Sequence, residues 1–219
     1  MRDISTLPIL YSLRQCPYAM RARLGILLAD QQVILRDIIM KNKPDEMLAS
    51  SPKATVPVLV LSHGQVIDES LDIMLWALKQ SDPNQLLNNE QSESLSLMLS
   101  LIERSDNEFV NALKKYKAAA RYHDPQEVDL RQKCDPFLQE IEGSLTQHAY
   151  IMGESPSLVD YATLPFIRQF SRVDKKWFVT SPYPQLHRWL EVHYQNPLFS
   201  KAMKKYPQWL ENREEIVFG

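Results

Sequence analysis

Residues 8–20 read Pro8-Ile9-Leu10-Tyr11-Ser12-Leu13-Arg14-Gln15-Cys16-Pro17-Tyr18-Ala19-Met20, and this stretch decides the fold. The apolar run 8–11 has the length of a short buried strand. Beyond it, residues 17–29 carry Met20, Leu24, Leu27 and Leu28 at the spacing of one helical face. Pro17 suits the first helical position, where its missing N–H would have had no partner. Cys16 therefore stands where a strand has ended and a helix begins.

Working outward, residues 33–39 are β-branched and apolar enough for a second strand, and residues 44–49 predict a short helix that stops before Pro52. Residues 57–61 and 66–67 flank Ser62-His63-Gly64-Gln65, a hairpin turn. Residues 69–79 place Leu71, Met74, Leu75 and Leu78 on one helical face. The order β-α-β-α-β-β-α is that of a thioredoxin-like α/β domain over residues 1–80. Ser81-Asp82-Pro83-Asn84 collects turn formers and marks a linker at 81–87. Leu95, Met98, Leu99, Ile102, Phe109, Val110 and Leu113 then keep helical spacing, as do segments near 126–147, 157–172 and 184–194. Residues 88–219 are thus expected to form an all-α C-terminal domain. Ser157-Leu158-Val159-Asp160 fits a capping box whose role is folding.

Composition narrows the function. A chain of 219 residues can bury a core without disulfides or metals, and a formal charge of −2 offers no electrostatic footprint for nucleic acid. No apolar stretch is long enough to span a membrane and the first seven residues do not read as a leader, so a cytoplasmic location is expected, with no membrane partner. The five histidines, His63, His123, His148, His187 and His193, lack the spacing of metal ligands, and no metal is expected. Lys114, Lys115, Lys117 and Arg121 read as a solvated helix face.

Cys16 and Cys134 are the only cysteines, which is not a disulfide framework. Free backbone N–H groups and the positive end of a helix dipole stabilise a thiolate at a position such as Cys16, so it is the candidate nucleophile. Arg14, Arg21 and Arg23 nearby read as solvated. A dithiol oxidoreductase would need a second cysteine at position 19; Ala19 stands there, so an external thiol must complete any cycle. Cys134 falls inside a predicted helix and reads as packing.

Four motifs in order resemble the omega class of glutathione transferases: Cys16-Pro17-Tyr18, Lys41-Asn42-Lys43-Pro44, Thr55-Val56-Pro57-Val58-Leu59 and Asp68-Glu69-Ser70. The resemblance implies that Val56 offers its backbone to the cysteinyl part of glutathione beside a cis Pro57. It implies that Lys43 meets the glycyl carboxylate, and that Glu69 and Ser70 receive the γ-glutamyl end at a helix start. The plain alternatives are a solvated surface lysine at Lys43 and a simple helix cap at Glu69-Ser70. Ser51-Pro52-Lys53-Ala54 departs from the family, where asparagine is common at the first position and glycine at the last.

By this resemblance the chain is expected to be a glutathione-dependent thiol transferase or reductase, with glutathione as co-substrate and glutathionylated thiols, small disulfides or dehydroascorbate as second substrate. The family also implies a homodimer. Two alternatives stay open: a conjugating transferase, in which the hydroxyl of Tyr11 or Ser12 activates the thiol of glutathione, and a non-catalytic binding protein on the same fold.

Overall fold

The computed structural model describes residues 4–87 and 92–219 and divides into two compact units, Met1–Asn84 with Asn196–Gly219, and Gln85–Gln195. The expected start of the helical domain, residue 88, lies outside the described residues.

The first unit runs β1 (Ile9–Ser12), α1 (Pro17–Leu28), β2 (Val33–Asp37), α2 (Asp45–Ser50), β3 (Val58–Val60), β4 (Val66–Ile67) and α3 (Ser70–Gln80), which is the thioredoxin-like order. β1 pairs parallel with β2 and antiparallel with β3, and β4 returns antiparallel to β3 through the turn at Gly64, whose φ is 89°. Gly25 lets α1 lie tightly on α3: a Cβ there would meet the Met74 Cα at 2.6 Å.

The sheet has a fifth strand that the apolar spacing does not predict. Residues 88–219 were expected to be helical, yet the chain closes on β5 (Ile216–Phe218), antiparallel to β2 with Val33 opposite Phe218, so the sheet order is β4-β3-β1-β2-β5. Three residues carry too little pattern to declare a strand, and β5 exists because β2 offers a free edge to pair with. Upstream of it Trp209 is clasped, with the Arg36 guanidinium 4.0 Å and the Arg213 guanidinium 4.8 Å from its ring centroid. Arg36 continues to Glu215 at 2.6 Å, and Arg213 to Glu46 on α2 at 2.6 Å.

Arg21 and Arg23, expected in solvent, are buried. Arg23 donates from Nε to Ser12 Oγ at 2.8 Å, from Nη2 to Asp37 Oδ1 at 2.5 Å and from Nη1 to the Ala202 carbonyl at 3.4 Å. The helical spacing of α1 has no empty polar face because neighbours cover it on every side. Burial raises the Asp37 carboxyl pKa even against the pull of Arg23, so removing the guanidinium strands a costly charge. Arg23→Ala should lose roughly 3–5 kcal/mol of stability, whereas Arg23→Met with Asp37→Leu should recover most of it. Urea unfolding of both variants checks this, and equal losses would refute it.

The second unit is helical: α4 (Ser92–Arg104), a π-helical turn (Ser105–Phe109), α5 (Val110–Tyr122), α6 (Glu127–Gln132), α7 (Asp135–Gln147), α8 (Leu158–Ser171), α9 (Lys175–Val179) and α10 (Pro184–Gln195). The C-terminal part of the first unit adds α11 (Pro197–Ala202) and α12 (Trp209–Asn212). Among the described residues no helix is long and apolar enough to cross a membrane, and no three His, Cys, Asp or Glu side chains gather as metal ligands.

The expected capping box forms and does more than cap. Asp160 is fully buried; its Oδ2 accepts from the Ser157 N–H at 2.8 Å and the Ser157 hydroxyl at 2.7 Å, and its Oδ1 from the Ile151 N–H at 3.0 Å and the Trp189 indole at 2.8 Å. One carboxylate thereby holds the start of α8, the preceding turn and α10. Beside it His193 is buried against the rings of Trp189, Tyr161 and Tyr150. Burial pushes its imidazole down to about 4, against the opposing pull of Asp160.

The unfolded chain takes up a proton at His193 near pH 6.5, and the folded chain only near pH 4. Between those values the unfolded state holds the extra proton, so stability is full above pH 6.5 and falls as pH drops, by roughly 3 kcal/mol in the limit. His193→Phe should flatten this acid limb in urea unfolding at pH 7 and pH 4.5; an unchanged acid loss would rule the histidine out as its source.

Candidate functional site

Cys16 is the N-cap residue of α1, with extended backbone (φ −77°, ψ 123°) and Pro17 in the first turn. Its N–H donates to the Leu13 carbonyl at 2.9 Å and its carbonyl accepts from Met20 at 2.9 Å, so the main chain holds the junction rigid. The thiol is half-buried and lies 3.8 Å from the Val56 carbonyl. The Val56–Pro57 peptide is cis. Tyr11, Ala19, Ile38, Met47, Val56 and Val58 form an apolar cluster against which Cys16 packs, so β1, α1, α2, β3 and the loop before it contribute to one wall beside Cys16.

The remaining candidates lie along the entrances to α2 and α3. Lys43 is half-buried, directly before Pro44, the N-cap of α2. Glu69 is the exposed N-cap residue of α3 with extended backbone, and Ser70 is the buried first residue of that helix. The Ser70 hydroxyl accepts from Arg21 Nη1 at 3.5 Å, which brings a buried guanidinium from α1 to the α3 terminus. Spacing on α1 could not show this, because it depends on which helix lies alongside.

Two further side chains join this region, both from the segment that departs from the family. Ser51 donates to Asp68 Oδ2 at 2.8 Å, and Lys53 Nζ lies 3.0 Å from Asp68 Oδ1 and 2.7 Å from Glu69 Oε1. Ala54 has φ 53°, the left-handed region that favours glycine, which accounts physically for the glycine common there in the family.

The two hydroxyls that could replace the cysteine are engaged elsewhere. The buried Tyr11 hydroxyl accepts from Arg36 Nη1 at 2.7 Å, and burial raises its pKa. The buried Ser12 hydroxyl is held by Arg23.

Cys134 supplies an internal comparison. The sequence reading put it inside a helix over 126–147; that stretch breaks at Lys133, and Cys134 is the N-cap residue of α7, with a proline in the first turn as at Cys16. Its thiol is nevertheless pushed up to about 12, by burial first and by Asp135 second. The thiol donates to the Leu130 carbonyl in the last turn of α6 at 3.9 Å, so it is buried against an acceptor.

Two family models match the chain: the glutathione S-transferase N-terminal domain over residues 10–85 and the glutathione S-transferase C-terminal domain over residues 101–191. The chain belongs to the glutathione S-transferase family. Within the family it is omega-like. It is 25% identical to mouse (Mus musculus) glutathione S-transferase omega-1 over 204 residues, covering 91% of this chain and 83% of the relative. It is 28% identical to rat (Rattus norvegicus) glutathione S-transferase omega-2 over 196 residues, covering 86% and 75%. Among solved structures, a glutathione transferase family member from Pseudomonas fluorescens pf-5, with two glutathione bound, shares the fold at a TM-score of 0.79. Its identity is 17%, with 91% of this chain and 93% of that one covered.

The contrast between the two thiols is directly measurable. Iodoacetamide at neutral pH should label Cys16 in the native protein and leave Cys134 unmodified, with both labelled in urea, as read by peptide mass. Native labelling of Cys134 at a comparable rate would contradict the burial argument.

Proposed function

We propose that this glutathione transferase family member is a thiol transferase or reductase in which Cys16 carries glutathione covalently. The observation that carries this reading is the half-buried thiol at the α1 N-terminus, 3.8 Å from the Val56 carbonyl. Ala19, one helical turn on, supplies no second thiol. The burial of the Tyr11 and Ser12 hydroxyls against Arg36 and Arg23 supports it over hydroxyl-activated conjugation.

In the proposed site the Val56 main chain pairs with the cysteinyl part of glutathione beside Pro57, and Lys43 attracts the glycyl carboxylate. The α3 N-terminus and the Ser70 hydroxyl favour the γ-glutamyl carboxylate, and Glu69 pairs with the γ-glutamyl ammonium. The Cys16 thiolate attacks the glutathione sulfur of a mixed disulfide; the S–S bond breaks, the second substrate leaves as thiolate and takes a proton from water, and Cys16 becomes glutathionylated. A second glutathione thiolate attacks the glutathione sulfur of that adduct, releasing glutathione disulfide and restoring the Cys16 thiolate. Electrons balance because the second glutathione is oxidised as the substrate thiol is reduced. Such a cycle suits a reducing compartment, and we place the protein in the cytoplasm.

Glutathione-dependent reduction of a small mixed disulfide by wild type and Cys16→Ala tests the reading, with conjugation assayed on the same samples. Loss of reduction by at least 100-fold in the variant is expected, together with a glutathione adduct at Cys16 in the wild type. Absence of reduction in the wild type, or its survival in Cys16→Ala, would overturn the reading.

A further inference from the structure

Lys53 lies between Ser51 and Ala54, and the structure puts it against Glu69, the residue expected to receive the γ-glutamyl ammonium. We propose that Lys53 is a positioning residue for that end of glutathione, holding Glu69 in place from Asp68; the inference rests on the glutathione site proposed above.

Three contacts define the arrangement. Asp68 is fixed twice over, by the Ser51 hydroxyl at 2.8 Å and by Lys53 at 3.0 Å, and both contacts lower its carboxyl pKa, that of Ser51 first. Lys53 then reaches 2.7 Å to a single oxygen of Glu69, Oε1. Glu69 is exposed, its side chain 64% accessible, so an ammonium anchored on Asp68 restrains a carboxylate that would otherwise sample many rotamers. The left-handed turn at Ala54 follows directly and carries the chain to Val56 and Pro57. Lys53 thus ties the loop ending at the cis peptide to the entrance of α3, the two segments proposed to hold the cysteinyl and γ-glutamyl parts of one ligand.

Charge points the same way. Asp68, Glu69 and Lys53 together carry one net negative charge, whereas the two acids alone would carry two. The γ-glutamyl end brings an ammonium and a carboxylate, so the array must attract one without repelling the other. With Lys53 present, Glu69 Oε2 stays available to the ammonium while Asp68 is neutralised.

The contact is solvent-exposed, so the effect is modest. In Lys53→Met the KM and Kd for glutathione should rise about 2- to 5-fold, with kcat at saturating glutathione unchanged. Lys53→Arg should restore most of the loss. The preference for glutathione over an analogue lacking the γ-glutamyl amino group should narrow in Lys53→Met, a readout that a change in fold stability alone would not move. A wild type that saturates with glutathione alongside a Lys53→Met variant of equal or lower KM would overturn the role of Lys53 alone. A wild type that shows no saturable glutathione binding would overturn the proposed site and the role of Lys53 with it.

Discussion

The first unit is organised around one charge that cannot be given up. A guanidinium stays protonated at any physiological pH, so burying Arg23 obliges the surrounding chain to supply acceptors. Ser12 supplies one from the end of β1, Asp37 one from the end of β2, and the Ala202 carbonyl one from α11. Three segments widely separated in sequence are thereby brought to one side chain on α1. The helix so anchored is the one whose N-terminus holds Cys16, which makes the placement of the thiol a consequence of the core and not of a surface loop.

The two cysteines show how far helix position alone decides reactivity. Each is an N-cap residue with a proline in the first turn, but Cys16 has extended backbone, whereas Cys134 is αR and its thiol donates to the Leu130 carbonyl in the last turn of α6 at 3.9 Å. Cys134 is sealed from solvent beside Asp135, and desolvation outweighs the dipole. Cys16 stays half-buried, beside the Val56 carbonyl and an apolar cluster. Burial also separates the hydroxyls: Tyr11 and Ser12, at the end of β1, are buried and held by Arg36 and Arg23.

In the second unit Asp160 has a comparable organising role with the opposite sign of charge. Its two oxygens accept from the cap, a turn and an indole, and this satisfied carboxylate allows Trp189 and His193 to be buried together. The capping pattern Ser157-to-Asp160 was legible because its partners lie three residues apart. The indole bond spans 29 residues and left no local trace.

The sequence by itself determined the order of elements in the thioredoxin-like unit, the start of α8 and the position of Cys16 at a helix entrance. All of these follow from apolar spacing and from the dihedral limits of proline, which act within a few residues. Only the tertiary structure decided that Arg21 and Arg23 are interior, that Cys134 is a buried residue at a helix start, that residues 216–218 complete the sheet at the free edge of β2, and that Lys53 faces Asp68 and Glu69. These depend on desolvation and on pairing between residues far apart in the chain, and neither quantity exists until the elements have packed.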